Sequence, residues 1–179
     1  MMKKTIVVAK YKEDLSWIEK YDNVVVIEKE VDMPNVGREP ASYILYILEH
    51  YEELEGEYIF LQGDPYEHNH KLDDEIKAPM KEPFVWLSAD WRTNIVCDMD
   101  GQPHDLIDIN EFLKLIGVPY NKNHIVFNGC CQFKITAEQI KKYPLEFYDN
   151  LFAVLTNGNR FEYAFERCVG IIFGKDDGD

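Results

Sequence analysis

The sequence predicts one α/β domain in which helices flank a mostly parallel central sheet. The chain has 179 residues, the length of one ordinary domain, and 46% of them are hydrophobic, enough for a substantial core. Its opening follows a strand–helix–strand pattern, which favours parallel strands and a right-handed crossover. No apolar run is long enough to span a membrane, so no membrane span is expected.

The first half of the chain alternates strand-like and helix-like segments. Apolar, mostly β-branched residues predict buried strands at 5–9 and 24–27, and residues 13–21 between them are compatible with a helix. Apolar residues recur at helical spacing over 40–54, which predicts an amphipathic helix. A third strand is predicted at 58–61, so the alternation continues.

The second half contains shorter segments of the same two kinds. A long polar loop with one short helix is predicted over 65–83, and irregular structure over 91–105. The remaining predictions are strands at 84–88, 124–127 and 131–135, and helices at 109–116, 137–143, 145–155 and 163–173. Asp108 or Asn110 is the candidate cap of the first of these helices, and Thr136 caps the second. No repeat or linker interrupts the pattern, so residues 1–174 form the predicted domain and 175–179 a charged tail.

The acidic composition limits the classes of partner. The chain has 19 Lys and Arg against 33 Asp and Glu, a net charge of −14, which repels phosphate backbones and argues against nucleic-acid binding. A small anionic ligand would need a local basic patch or a bound cation. The cysteines fit no zinc-binding spacing, which favours a reduced, cytoplasmic setting with thiols packed as small hydrophobic groups.

The most informative segment is the apolar run that ends at Gln62, Gly63 and Asp64, with His68 and His70 downstream. Open α/β sheets bind ligands at the carboxyl ends of their strands. A carboxylate there can hold a divalent cation that bridges a diphosphate, and imidazoles can add ligands. The same residues are also compatible with an ordinary turn, in which Asp64 accepts hydrogen bonds from nearby amides.

Two other segments are candidates for ligand contact. Asn35, Gly37 and Arg38 precede the predicted second helix, so free amides and a guanidinium group can together bind an anion. Alternatively, Gly37 supplies an unusual backbone angle and Arg38 pairs with a surface acid. Tyr11 follows the first strand and can stack on a base, although a plain strand-to-helix loop explains it equally.

Later residues are further candidates for ligand contact. A glycine-centred loop at Gly129 can approach a ligand closely, whereas the thiols that follow it pack by default. Trp86 and Asp90 can line a pocket, or else Trp86 belongs to the core and Asp90 pairs with a neighbouring arginine. Glu166 lies in the last predicted helix and can act as a general base if it reaches the crevice.

Several of these segments, in this order, resemble a family of proteins known only as a domain of unknown function. The resemblance is carried by residues 7–17, 34–39, 60–65 with His68, and 129–136 followed by Ile140, Pro144 and 147–148. It ends with Glu166 and Arg167 before residues 172–174. Its most specific parts are the N-x-G-R-E and F-L-Q-G-x-P segments. That family is similar to glycosyltransferases with a nucleotide-diphospho-sugar (GT-A-like) fold, so the resemblance implies a Rossmann-like fold of this type.

The resemblance, together with the local patterns above, implies roles for the candidate residues. Gln62 and Asp64 stand in the place of a metal-binding D-x-D element, with Mn²⁺ or Mg²⁺ held by Asp64 and His68. The residues expected to bind the donor are Ala9, Tyr11, Glu13, Asn35, Gly37, Arg38 and Gln62. Those expected to contact the acceptor are Trp86, Asp90, Gly129 and Gln132. Glu166 and Asp64 are the expected catalytic residues.

We therefore expect a cytoplasmic glycosyltransferase that binds a nucleotide sugar with Mn²⁺ or Mg²⁺ and transfers a hexosyl group to an acceptor. Arg38 and the helix start beside it would hold the diphosphate. Two alternatives stay open. One is a non-catalytic module of the same fold that binds a carbohydrate or an anion, and the other is a metal-dependent hydrolase that uses Asp64, His68 and His70.

Overall fold

A computed structural model describes residues 3–87, 95–100, 107–157 and 159–174 of the chain. A five-stranded mixed sheet packed against helices forms its centre, and a two-stranded antiparallel sheet accompanies it. The strands are β1 (Lys4–Lys10), β2 (Val24–Glu28), β3 (Glu57–Gln62), β4 (Phe84–Trp86), β5 (Ile95–Asp98), β6 (His124–Phe127) and β7 (Phe133–Thr136). The α-helices are α1 (Arg38–His50), α2 (Leu72–Lys77), α3 (Ile109–Leu115), α4 (Ala137–Ile140), α5 (Leu145–Thr156) and α6 (Phe161–Ile172).

The central sheet has the strand order β2-β1-β3-β7-β4. Strand β1 runs parallel to both β2 and β3, which confirms the parallel strand pairing predicted from the opening pattern. Strand β7 is antiparallel to β3 and to β4, so the sheet is mixed and β4 runs in the same direction as β3. The carboxyl ends of β1, β2, β3 and β4 therefore lie at one edge, where β7 begins.

The two faces of the sheet bury different helices. Side chains such as Val7 and Phe60 point to the face covered by α1, α5 and α6, which holds the larger core. Their neighbours Val8 and Leu61 point to the opposite face, where they pack with α2 and the 3₁₀ helix Ser16–Lys20. This alternation follows from the period of two along a strand, and burial on both faces explains the nearly continuous apolar runs.

Several local predictions differ from the structure: for example, α4 ends at Ile140 and α6 begins at Phe161. The segment between β1 and β2 contains the 3₁₀ helix instead of an α-helix, and an Asp14 side chain that accepts from the Ser16 N–H shapes its start. Helix α1 begins at Arg38 and ends at His50, and a 3₁₀ turn follows it. Part of the segment predicted to be irregular forms β5, because Ile95–Asp98 pairs with the distant strand β6.

Other predictions are confirmed in detail. The Asp108 and Thr136 side chains cap α3 and α4 by accepting hydrogen bonds from the third residue of each helix, at 2.8 and 3.2 Å. Glu166 lies within α6 as predicted. The predicted tail over 175–179 lies outside the described residues. Within the described ranges, no helix combines the length and the apolar character needed to cross a membrane.

Candidate functional site

The carboxyl ends of β1 and β3 lie side by side, with Ala9 paired to Gln62. The chain leaves β1 on one side to reach β2, then crosses back to reach β3 on the other side. The 3₁₀ helix Ser16–Lys20 makes the first crossing on one face, and α1 makes the second on the opposite face. Such a reversal of winding leaves a crevice outside the strand ends, which is where open α/β sheets bind ligands.

The loop after β1 forms one wall of this crevice. Tyr11 is half-buried, and its ring lies 4.5 Å from the Lys12 ammonium group. The Glu13 carboxylate accepts hydrogen bonds from the backbone N–H groups of Tyr11 and Lys12, at 2.7 and 3.1 Å. Partial burial disfavours the charged form of Glu13, but these hydrogen bonds outweigh it and lower the pKa of the carboxyl group. Glu13 is therefore ionised at neutral pH.

The turn after β3 forms the other wall. The Gln62 side-chain amide donates to the Asp64 carbonyl oxygen at 2.9 Å, which closes the turn. Asp64 itself is exposed, and within the described ranges its carboxylate accepts no hydrogen bond and forms no ion pair. The predicted turn and the predicted strand-end carboxylate are therefore both present, because the amide closes the turn through the backbone and leaves the carboxylate open.

Aromatic residues on the far side of the sheet support this turn. The Trp17 indole N–H donates to the Gly63 carbonyl oxygen at 2.9 Å, and the ring packs edge-on against Tyr21 and Tyr66. Both tyrosine hydroxyls donate to Asp73. Burial disfavours the charged form of Asp73, yet hydrogen bonds from Lys20 and from the two tyrosines outweigh it and lower its pKa to about 2. The turn that carries Asp64 thus packs on a hydrogen-bonded cluster of aromatic side chains.

The residues present can hold a divalent cation only if a bound ligand or water supplies the remaining coordinating atoms. Within the described part of the chain, no group of three or more His, Cys, Asp and Glu side chains converges. His68 lies 3.5 Å from the Glu67 carboxylate, and His70 is exposed. Mg²⁺ is commonly bound by one or two carboxylates together with phosphates and water, so Asp64 suits this type of site better than a cage of protein ligands.

The start of α1 lies at the same sheet edge, against α5 and α6. Gly37 has the left-handed φ of 65°, and no side chain caps the free amides of the helix. Arg38 donates from Nη1 to the Tyr163 hydroxyl at 2.8 Å, and its Nε lies 3.4 Å from the Glu39 carboxylate. The alternative reading of an unusual glycine angle and a paired arginine is thus correct for the local contacts. An anion can still approach, since 53% of the Arg38 side chain is exposed.

Glu166 on α6 contacts the turn before β7. Its Oε1 accepts the Cys130 N–H at 2.7 Å, and Tyr163 lies one turn earlier on α6. Cys130 and Cys131 both have positive φ, 76° and 50°, a conformation that side chains rarely adopt. Burial raises the pKa of the Cys131 thiol well above its usual value, which argues for packing and against a thiolate nucleophile.

The residues predicted to contact an acceptor are mostly buried. Trp86 is 8% exposed and packs edge-on against Phe84, and Gly129 is buried. Gln132 is 1% exposed, and its Nε2 donates to the Pro65 carbonyl oxygen at 3.3 Å. Asp90 and its surroundings lie outside the described residues. In this structure Trp86 and Gly129 thus act in packing, in line with the alternative reading of Trp86.

The structure brings the candidates into two groups at one sheet edge. Ala9, Tyr11, Glu13, Gln62 and Asp64 border the crevice between β1 and β3. Arg38 and Glu166 belong to the group around α1 and α6, with exposed Asn35 in the loop before α1. Within the described ranges, no hydrogen bond or ion pair joins Arg38 to Asp64.

Sequence reasoning missed two buried polar groups beside the α1 start. Lys29 is 5% exposed and donates to the Val36 carbonyl oxygen at 2.7 Å. Burial lowers its pKa to about 8, against the opposing attraction of Glu39 and Glu162. The Tyr43 hydroxyl is fully buried and has no hydrogen-bond partner among the described residues. Both residues occupy ordinary strand-end and helix positions, so no local pattern marks them.

Comparison with protein-family models, with curated proteins and with solved structures finds no match to this chain. The resemblance to a domain of unknown function and to nucleotide-diphospho-sugar glycosyltransferases therefore stays a prediction.

Proposed function

We propose that this protein binds a nucleotide sugar in the crevice between the β1 loop and the β3 turn and transfers the sugar to an acceptor. The observation that carries the proposal is the reversal of winding between β1 and β3, because Tyr11, Glu13 and Asp64 all follow the ends of these two strands at one edge of the sheet. These are residue types that bind a nucleotide and a cation, and they come from two segments far apart in the chain. The resemblance noted above suggests the same class of ligand.

Each part of the donor has a candidate partner at the sheet edge. The half-buried ring of Tyr11 is available for stacking on the base. Asp64 would hold Mg²⁺ or Mn²⁺, which neutralises charge on a departing diphosphate. Arg38 and the uncapped amides of α1 would bind phosphate oxygens from the other side. A bound cation also offsets the net charge of −14, which otherwise repels an anionic donor.

Glu166 is the proposed general base. The hydrogen bond from the Cys130 N–H holds one carboxylate oxygen, and this fixes the orientation of the group. The other oxygen would accept the proton of the acceptor hydroxyl as the new glycosidic bond forms. The Tyr163 hydroxyl, one helical turn away, links this group to Arg38.

Calorimetric titration with UDP- and GDP-sugars in the presence of Mn²⁺ tests the proposal. We expect binding by the wild-type protein and a loss of at least tenfold in affinity for Asp64→Ala, because a bridging cation is lost. Glu138→Gln is the matched control, since this exposed acid lies in α4 at the opposite edge of the sheet. No heat of binding at millimolar nucleotide sugar would overturn the proposal.

The same variants separate the alternatives. A non-catalytic binding module would keep its affinity for a carbohydrate or anion in Asp64→Ala if it binds without metal. A glycosyltransferase would show sugar transfer or slow hydrolysis of the donor in wild type and lose it in Asp64→Ala and Glu166→Gln. A hydrolase would cleave phosphoesters without a sugar donor, and the absence of a three-ligand group among the described residues gives that reading no support.

A further inference from the structure

Two cysteines stand next to each other in the turn that leads into β7. Cys130 and Cys131 both belong to the 3₁₀ turn Gly129–Cys131, and neither forms a disulfide bond in this structure. Cys130 is partly exposed, whereas Cys131 is only 4% exposed. The pair therefore combines one residue that a small solute can reach with a second, shielded thiol directly beside it.

The backbone at this pair is unusual. Cys130 and Cys131 have φ of 76° and 50°, and consecutive non-glycine residues rarely adopt the left-handed region. In a β-strand neighbouring side chains point to opposite faces, but in this turn they do not alternate in that way. The turn is therefore a better backbone for a bond between adjacent thiols than the strand that follows it. Strained backbone of this kind is also concentrated at functional sites.

Contacts on several sides hold the turn in place. The Cys130 N–H donates to Glu166 Oε1 on α6 at 2.7 Å. The next residue, Gln132, donates from Nε2 to the Pro65 carbonyl oxygen at 3.3 Å, and its own carbonyl oxygen accepts the Leu87 N–H at 3.0 Å. A covalent change at the two cysteines would therefore reach α6, the loop after β3 and the end of β4.

We propose that Cys130 and Cys131 form a reversible disulfide bond when the protein meets a hydroperoxide. The Cys130 thiolate attacks the peroxide, an S–O bond forms, and the O–O bond breaks. The alkoxide or hydroxide that leaves takes up the proton that the thiol released. The Cys131 thiol then attacks the sulfenic sulfur, so that an S–S bond forms and its proton leaves with the hydroxyl group as water. The two thiols lose two electrons and two protons in total, and the hydroperoxide is reduced to an alcohol and water.

The bond should be easy to reduce again. Consecutive Cα atoms are about 3.8 Å apart, closer than the usual span of about 4.4–6.8 Å across a disulfide, so the ring is strained. Strained disulfides are the labile and regulatory ones. Ring closure changes the backbone angles at Cys130, and we expect it to weaken the hydrogen bond from its N–H to Glu166. An effect on sugar transfer through Glu166 rests on the proposed function, whereas the disulfide itself does not.

Peroxide treatment of the folded full chain, followed by alkylation in denaturant and mass spectrometry, tests for the bond. We expect two of the four thiols to be lost, together with a mass loss of about 2 Da in the peptide that contains both neighbouring cysteines. Millimolar glutathione should restore all four thiols, because structural disulfides resist this reductant and strained ones do not.

Two variants locate the reaction. Cys130→Ser retains the size of the side chain but has no neighbouring thiol for Cys131, so it should form no disulfide under the same treatment. Cys97→Ala is the matched control, because it removes a buried thiol of β5 and leaves the pair intact, and it should still form the bond. The peptide map of the wild-type protein depends on neither variant.

Three results would contradict this inference. They are folded wild-type protein in which peroxide produces sulfinic acid without an S–S bond, a bond between Cys97 and Cys168 in its place, or a Cys130–Cys131 bond that millimolar glutathione leaves intact. The proposed function can fail separately. If the bond forms and is reduced as described, but no nucleotide sugar binds to the reduced protein, the redox site stands and the sugar-transfer proposal falls.

Discussion

Lys29 shows how one residue can carry charge into the interior next to a candidate site. Its ammonium group donates to the Val36 carbonyl oxygen and lies 3.3 Å from the Met33 sulfur. Glu39 on α1 and Glu162 on α6 attract it, but burial dominates and lowers the pKa to about 8. A buried charge with weak partners is destabilising for the fold, and such groups are frequently associated with function.

We predict that Lys29→Met is at least as stable as wild type at pH 7. In the folded protein the pKa of Lys29 is lowered from 10.5 to about 8, so between these values the unfolded chain binds a proton that the folded chain lacks. Wild-type stability therefore rises with pH through this window. The free energy of unfolding of Lys29→Met should exceed that of wild type by about 3 kcal/mol at most, and the lost hydrogen bond to Val36 reduces this gain. The gain should be largest below pH 8 and shrink above it.

Urea unfolding at several pH values between about 7 and 9.5 checks this, since wild-type stability should change little below pH 8 and rise above it. Lys29→Arg is the control, because arginine keeps its charge throughout and should be less stable than wild type at each pH. An equal loss of stability in Lys29→Met at pH 7 and 9.5 would show that the ammonium group is well paired in the folded state.

The candidate site residues at the sheet edge could be predicted from the sequence alone. Tyr11, Glu13 and Asp64 follow apolar strands, and polar side chains directly after a strand predict a sheet-edge site. The contact between Glu13 and Gly63 could not be predicted, because nothing in either segment indicates that a carboxylate packs on a glycine 50 positions away. The burial of Lys29 and Gln132 likewise depends on elements from other parts of the chain.

The start of α1 illustrates how one element depends on a glycine. Gly37 has φ of 65°, and a Cβ atom there would lie 2.6 Å from the Ala41 Cβ and 2.8 Å from the Leu155 carbonyl oxygen. The second contact is with the backbone of α5, which cannot move without repacking two helices. The glycine therefore serves both the turn into α1 and the close approach of α5.

We predict that Gly37→Ala lowers the free energy of unfolding by about 3 kcal/mol, because it combines a strained φ with a backbone clash. Gly117 is the matched control, with φ of 73° and no described atom within 4 Å of the position that a Cβ would take. Gly117→Ala should cost only about 1 kcal/mol. Chemical denaturation of both variants measures the difference, and equal costs would show that the approach of α5 is not restrictive.

The elements that local patterns missed are those that depend on distant partners. Strand β5 has a half-exposed, short sequence and forms by pairing with β6, about thirty positions later in the chain. The connection between β1 and β2 forms the 3₁₀ helix Ser16–Lys20 instead of the predicted α-helix, and its side chains pack against those of β1 and β3. Helix α1 and the strands β1 to β3 were predicted well, because their periodicity is strong over several turns or pleats.

At the scale of the whole molecule, charge is the dominant feature. The net charge of −14 produces repulsion across the surface, whereas the described pairs Lys3–Glu55, Lys20–Asp73 and Arg38–Glu39 all involve exposed side chains. Exposed ion pairs contribute about 0–1 kcal/mol each, so the excess of acids should outweigh them.

We therefore predict that salt stabilises this protein. Raising NaCl from about 0.02 to 0.3 M shortens the Debye length and should raise the melting temperature by about 3 °C, as repulsion between carboxylates is screened. KCl should act equally, which separates screening from specific ion effects. A melting temperature that falls with added NaCl would mean that attractive pairs dominate the folded state.

The pattern of neighbouring residues in the sequence was enough to predict an α/β domain, its parallel strands, the caps at Asp108 and Thr136, and the polar residues after each strand. Hydrophobic periodicity and capping are properties of neighbouring residues, so they can be read without a partner. The reversed strand β7, the ladder of β5 with β6, the Glu13–Gly63 contact and the link from Arg38 to Tyr163 join segments far apart in the chain. Such contacts exist only once the sheet has assembled, because burial and strand pairing bring together residues whose own surroundings in the chain do not specify one another.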